Sequence, residues 1–594
     1  MEKNNWDLEA VLEGKDLQHL YDEWVNINEK ILKMVPTFLD NIKNFVEWKK
    51  INDKEENISN RLSNYISNKV NEDMSNQEFQ AWEQKLDMKG HEFSKKFSGL
   101  VNTVLENEEK IRKYISQDPY LKQYERSYEL LFKTKKHILD KKENQLISKI
   151  SINNSAVHSI FSTLTTTDIK FNDVVDGKGK KVELSTMAKV FTLLKSKDRI
   201  LRKNVWITFN KTYYNFRSTL TKTLYYNYLQ LNTYAKLHNF NDYLDSVCFH
   251  DEVSQDFILD LYKNVEKFKP IYIKYKEKVK KILAKQLHLK KVEPWDCSID
   301  LCKKKVKYTI EQSWDLILSC FKILGKEYVT NLKKARDENW ISYMPKKNKY
   351  TGAYSIGEAK GLKKYYILLN FNSSFDSVST LAHELGHSMN SLYFVSSQPV
   401  YADTTIFTAE IPSILNETLL GLYMIEKYKD DKELKNNFIN EIVSGFFSTV
   451  SRQIIFSNFE YEANKMVNES VPFTEQSLQD LYEKMIFKYS SKTDKKAKKP
   501  YSYSLSTIFR ISHFYAGNFY VYKYAVGQIV AICLARKIIN KEKGILDKFY
   551  EFLKSGTSKS PLDTIKILGI DLQDPKIYDE CFSFIEDLIN QMKI

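Results

Sequence analysis

Five residues, His383-Glu384-Leu385-Gly386-His387, constrain this 594-residue chain more than any other stretch. They sit in a segment where Val378, Leu381, Ala382, Leu385, Met389 and Leu392 recur at three- and four-residue steps, the period of an amphipathic helix. Ser373 and Ser374 offer hydroxyls to cap its free amides, and Asp376 places an acid in the positive first turn. Residues four apart on a helix lie one turn apart on one face, so both imidazoles point the same way. Two neutral imidazoles with a carboxylate beside them are the nitrogen ligands and the base that a catalytic zinc requires. The chain has 10 histidines. The chance of an H-E-x-x-H arising somewhere in such a chain is on the order of one per cent.

A catalytic zinc takes a third protein ligand and keeps one position for water. Glu410 follows His387 by 410 − 387 = 23 residues. That interval accommodates the end of the first helix, a loop holding Gln398, Pro399 and Asp403, and a second helix. Pro412 is expected close to the start of that helix, where a missing N–H costs nothing. On a helix Glu410, Ile414 and Glu417 share a face. Glu410 is then the candidate third ligand. Glu417, two turns on, is the candidate acceptor for the far nitrogen of a metal-binding histidine, a bond that fixes the tautomer. Glutamates are ordinarily solvated; the apolar surroundings and the HELGH helix favour the ligand reading here.

With Gly 17 and Pro 11 in the whole chain, helix breakers are scarce, and a mostly helical protein of two or more subdomains is expected. Residues 1–180 read as helices, for example through the stripe Leu17, Leu20, Trp24, Ile27, Ile31 and Val35. The turn-rich stretch from Asn172 to Gly179 is the candidate boundary, giving an N-terminal helical domain (1–180) and a catalytic domain (181–594). Pro270 should end or kink a helix within 256–286. Residues 340–371 change character: Trp340–Met344 and Tyr365–Phe371 are short, β-branched and aromatic, and predict a small sheet just before the HELGH helix. An edge strand there could pair with an extended peptide, with Gly352 and Gly357 allowing close backbone approach. Gly352, Ala353 and Tyr354 are the candidate substrate-binding residues.

Several function classes are excluded by expectation. The polar start, Met1 to Trp6, contains no signal-peptide core, and no apolar run is long enough to span a membrane. Six scattered cysteines without a C-x-x-C fit free thiols in a reducing cytoplasm. The formal charge of +14 is spread along the chain, with a local cluster at Lys495-Lys496-Ala497-Lys498-Lys499, and nothing marks a nucleic-acid-binding fold.

HELGH followed by FTAEIPSILNE resembles the M3 family of zinc metallopeptidases, near its oligoendopeptidase F group. TGAYS (351–355), YYILLNF (365–371), ISHFYAGNFYVYKYAVG (511–527) and FLKSGTSKSPLDTIKILGIDL (552–572) agree with that family. The resemblance covers most of the chain, most strongly after residue 180. It implies a mainly α fold: a zincin-type HExxH catalytic domain with a small β-sheet, and a helical N-terminal domain enclosing a deep substrate channel. It implies one Zn²⁺ per chain held by His383, His387 and Glu410, with Glu384 as general base. In the family a histidine followed by tyrosines aids the transition state. His513 takes that place here, with Tyr520 and Tyr522 the chosen tyrosines and Tyr515 or Tyr524 left open. The expected activity is cleavage of internal bonds in short, unstructured peptides in the cytoplasm, by a monomer or weak homo-oligomer. The alternatives are a zinc dipeptidyl carboxypeptidase or carboxypeptidase, or a catalytically silent peptide-binding protein.

Overall fold

The computed structural model describes residues 5–593 except 141, 142, 144, 145, 148–154, 305, 358, 491–501 and 518. The start Met1–Asn4 and the Lys495–Lys499 cluster lie outside the described residues. The protein is 71% helical with only small sheets, as the scarcity of breakers predicts. In chain order, the elements that bear on function are α1 (Leu17–Met34), α2 (Ile42–Glu72), β1 (Val174–Val175), β2 (Lys181–Val182), α3 (Arg217–Leu237), α4 (Tyr243–Asp251), β3 (Ile341–Ser342), β4 (Tyr354–Ser355), β5 (Ile367–Leu368), α5 (Phe375–Ser397), α6 (Ile406–Lys427), α7 (Ser451–Asn468), α8 (Val521–Ile539) and α9 (Ile545–Ser555). Among the described residues no helix is long and apolar enough to cross a membrane.

The chain folds into two compact units built from interleaved segments. The first comprises 1–136, 306–420 and 534–570; the second comprises 137–305, 421–533 and 571–594. The boundary expected at residue 180 falls inside the second unit. Its turn residues serve a hairpin instead: β1 pairs antiparallel with β2, and Asp176 accepts the amides of Lys178 (2.9 Å) and Lys180 (2.8 Å) to close the turn. Val174 is buried in one cluster with Leu184, Val190, Val205 and Phe209, so the hairpin is packed rather than a linker. Pro270 does separate two helices, Gln255–Lys267 and Lys269–Gln286, and opens the second of them.

In the first unit α1 buries Leu20, Trp24, Ile27 and Ile31, the expected stripe, and packs on α2. The sheet has the order β3-β5-β4, with β3 parallel and β4 antiparallel to β5. β4 is therefore an edge strand. The Tyr354 hydroxyl donates to Asn68 Oδ1 (2.8 Å) and accepts from Asn71 Nδ2 (3.0 Å), which pins that strand to α2.

α5 starts as its sequence dictates: Ser374 accepts the Ser377 amide at 3.2 Å, and Asp376 follows in the first turn. α6 departs from expectation. It begins at Ile406, after Thr405, whose amide donates to Thr408 Oγ1 at 3.3 Å. Pro412 consequently lies inside the helix, where its missing N–H removes one rung. At that turn α5 comes closest. A Cβ on Gly386 would lie 2.6 Å from Ser413 Cα and 2.7 Å from both Pro412 O and Ser413 N. Only glycine fits against that backbone. Asn416 spans the same contact, its Nδ2 donating to Ala382 O at 2.9 Å.

Gly386→Ala should lower stability by roughly 1–3 kcal/mol, because backbone and not a flexible side chain must yield. Gly445, in the helix Lys432–Thr449, has open space around it, and Gly445→Ala should raise stability by about 0.4–1 kcal/mol. Thermal denaturation of the two variants should move in opposite directions; a neutral Gly386→Ala would contradict the close crossing.

Candidate metal centre

The crossing of α5 and α6 brings three donor atoms together. His383 Nε2 and His387 Nε2 are 3.2 Å apart, and each is 3.4 Å from Glu410 Oε2. Ligand atoms 2.0–2.1 Å from a tetrahedral zinc are separated by about 3.3–3.4 Å, so the spacing suits such an ion. Among the described residues this is the one group of three such side chains able to share a metal.

Neighbouring side chains hold the donors in place. Ser413 Oγ donates to Glu410 Oε2 at 2.9 Å, fixing the carboxylate from one turn further along α6. The Asn416 side chain that grips Ala382 O accepts in turn from the Tyr328 hydroxyl at 3.1 Å. His383 Nδ1 is 3.5 Å from Glu417 Oε1, at the outer limit of hydrogen bonding, and has no closer partner. Glu417 therefore stands on the far side of the ring from the metal-facing nitrogen, as the shared α6 face predicts.

The electrostatics favour a cation. Burial works against charging His383, but Glu417, Glu384 and Glu410 outweigh it and push the imidazole up to about 9. Burial likewise disfavours ionised Glu410, yet His387, His383 and the Ser413 hydroxyl bring it down to about 2. Glu384 is 6% exposed. Burial raises its carboxyl, opposed by the two histidines and by the amide of Ser355 on β4. The edge strand is fastened beside it: Ser355 Oγ and Ser388 Oγ are 2.8 Å apart, and Ser388 also donates to Tyr365 O at 3.1 Å.

The other candidates divide. Tyr354 spends its hydroxyl on α2. Asn370 Nδ2 donates to Gly352 O at 2.9 Å, so that carbonyl is engaged. His513 and the tyrosines belong to the second unit. There the Tyr520 hydroxyl lies 3.5 Å from His513 Nδ1 and 3.4 Å from the Tyr524 hydroxyl, all three residues being part-exposed. Burial, and then Arg452, push the His513 imidazole below its usual range. Tyr522 points elsewhere: it is fully buried and donates to Asp251 at 2.5 Å. Tyr515 is 1% exposed and stacked on Phe161. Ser413, Ser355 and Asn416 escaped sequence reasoning. Ser413 alone left a signal, standing three residues after Glu410 on one helix face.

The peptidase family M3 profile matches residues 192–584, and the oligopeptidase F profile matches residues 106–171. The chain belongs to peptidase family M3. An oligoendopeptidase F homolog of Mycoplasma pneumoniae is 37% identical over 97% of this chain and 95% of its own. Oligopeptidase PepF of Bacillus subtilis is 30% identical over 90% of this chain and 78% of its own. The crystal structure of oligoendopeptidase-F from Enterococcus faecium superposes with a TM-score of 0.71 at 23% identity, covering 97% and 99% of the two chains. Membership in this metallopeptidase family makes the chain a peptidase and implies a metal.

Glu417→Gln should weaken metal affinity about 10–100-fold, the usual cost of losing a carboxylate behind a ligating histidine. Competition with a chromophoric chelator measures it, and wild-type affinity would remove Glu417 from the site.

Proposed function

We propose that this M3 peptidase is a zinc-dependent oligoendopeptidase that hydrolyses internal bonds of short, unstructured peptides. The reading rests on one observation above others: three donor atoms at tetrahedral spacing, with a buried glutamate on the same helix. His383, His387 and Glu410 would hold one Zn²⁺ per chain. The bound ion would supply Lewis acidity toward the scissile carbonyl and lower the pKa of a water.

The protein's own groups do the rest. Glu384 takes a proton from the attacking water and returns it to the leaving amine. Its burial suits that work, because a raised carboxyl is a stronger proton acceptor than an ordinary one. Tyr520, paired with His513, donates to the oxyanion. Two observations favour Tyr520 over Tyr522: its hydroxyl is part-exposed beside His513, whereas the Tyr522 hydroxyl is committed to Asp251. The edge strand β4 and the preceding Ala353 backbone would take an extended substrate through main-chain hydrogen bonds, which give affinity with little sequence preference. A cytoplasmic location is supported by six free cysteines, two of which reach the surface.

An internally quenched peptide of about ten residues tests the reading. A chelator should abolish internal cleavage. Glu384→Gln should keep the metal and lower kcat by roughly 10²–10⁴-fold, the contribution of a positioned base. Stepwise release of C-terminal dipeptides would replace the endopeptidase assignment with the dipeptidyl carboxypeptidase one. Metal-loaded protein that cleaves nothing would indicate a silent peptide binder.

A further inference from the structure

Glu460 lies on α7 with 0% of its surface exposed. Neither carboxylate oxygen has a hydrogen-bond partner of ordinary geometry. A buried acid left in that state is costly and calls for a reason. The polar group that approaches it is the amide of Phe519. Phe519 has φ +39, in the left-handed region that bulky residues occupy only when their surroundings impose it. The next residue is Tyr520.

The rest of that turn is clamped from the same unit. Tyr243, on α4, donates its hydroxyl to Gly517 O. Asn227, on α3, donates through Nδ2 to Phe514 O at 3.1 Å. Gly517 has φ +71, and Leu231 would stand 2.9 Å from any Cβ there. The Phe514 ring packs against Phe456 and Phe459 of α7, with centroids 5.5 and 5.0 Å apart. The titratable groups that face Glu460 are phenols: Tyr228 from α3, Tyr243 from α4 and Tyr262 from the helix Gln255–Lys267. Among the described residues no cation offsets its charge. Burial pushes its carboxyl up to about 8, against the smaller pull of the Phe519 amide. Glutamine keeps the carbonyl acceptor and the volume of the side chain and removes only its capacity for charge.

We propose that Glu460 is a positioning residue: from α7 it meets the Phe519 amide, holds the strained 519–520 step, and so sets the Tyr520 hydroxyl against His513. The proposal rests on the reading of Tyr520 as the oxyanion donor. A buried carboxyl oxygen that lacks any other partner is directed to the amide, and that contact would retain the strained backbone at Phe519.

The test uses the full-length, metal-loaded protein and three variants, Glu460→Met, Glu460→Asp and Glu460→Gln. The readouts are amide hydrogen exchange in the peptide spanning 513–521, metal content, and kcat and KM on the quenched peptide. Methionine removes the acceptor at similar volume, and aspartate withdraws it by one methylene if methionine prevents folding. Glu460→Met should speed exchange in this segment and lower kcat by on the order of 10²-fold at unchanged KM and metal content, the scale of a small misplacement of a catalytic group. Glu460→Asp should do the same to a lesser degree. Glu460→Gln should match wild type in both. Unchanged exchange in Glu460→Met and Glu460→Asp, or a Glu460→Gln as impaired as Glu460→Met, would overturn the proposal. Faster exchange with wild-type kcat would leave the positioning role standing and overturn the catalytic reading of Tyr520 instead.

Discussion

The contact on which the site depends is made by a residue with no side chain. Gly386 lets α5 rest directly on the backbone of α6 at Pro412 and Ser413. Any Cβ there would push the two helices apart, and the three donor atoms are only 3.2–3.4 Å from one another. A shift of a fraction of an ångström would spoil that spacing. The proline is part of the same device. Inside a helix it forfeits a hydrogen bond, and it does so at the turn where the neighbouring helix sits closest. Asn416 then bridges the two helices by taking the Ala382 carbonyl.

The charge arrangement follows from this packing. Three carboxylates and two imidazoles are gathered at this crossing, and their mutual fields raise His383 and lower Glu410. Such a cluster is expensive unless a cation shares it. The division of labour among the carboxylates is set by surroundings rather than residue type. Glu410, held by Ser413 and facing both histidines, is kept ionised. Glu384, next to His383 on the same helix but buried, is raised, burial outweighing the two histidines. Glu417, more exposed, sits behind His383.

Much of the site was legible because it is local. HELGH fixes its own geometry once a helix is granted, and Ser374 with Asp376 marks where that helix begins. Glu410 and Glu417 follow from a second helical period. What the sequence does not show is non-local. The Asn172–Gly179 stretch carries every mark of a linker, yet Val174 is buried by residues up to Tyr213, and the turn becomes a packed hairpin. Pro412 reads as a helix start, since nothing in the sequence reveals that α5 will press against that turn. The two units interleave segments hundreds of residues apart, which no composition shift announces. The tyrosines of 515–524 share one apolar, aromatic pattern; only the tertiary partners, Asp251 for Tyr522 and His513 for Tyr520, separate them.

The central claim is that two imidazoles and one carboxylate share a single zinc. X-ray absorption at the zinc edge of the purified protein tests it directly. The account predicts about one zinc per chain in a four-coordinate shell of nitrogen and oxygen at about 2.0–2.1 Å, with the outer-shell scattering of two imidazole rings. A sulfur shell near about 2.3 Å, a single imidazole, or zinc far below one per chain would contradict it.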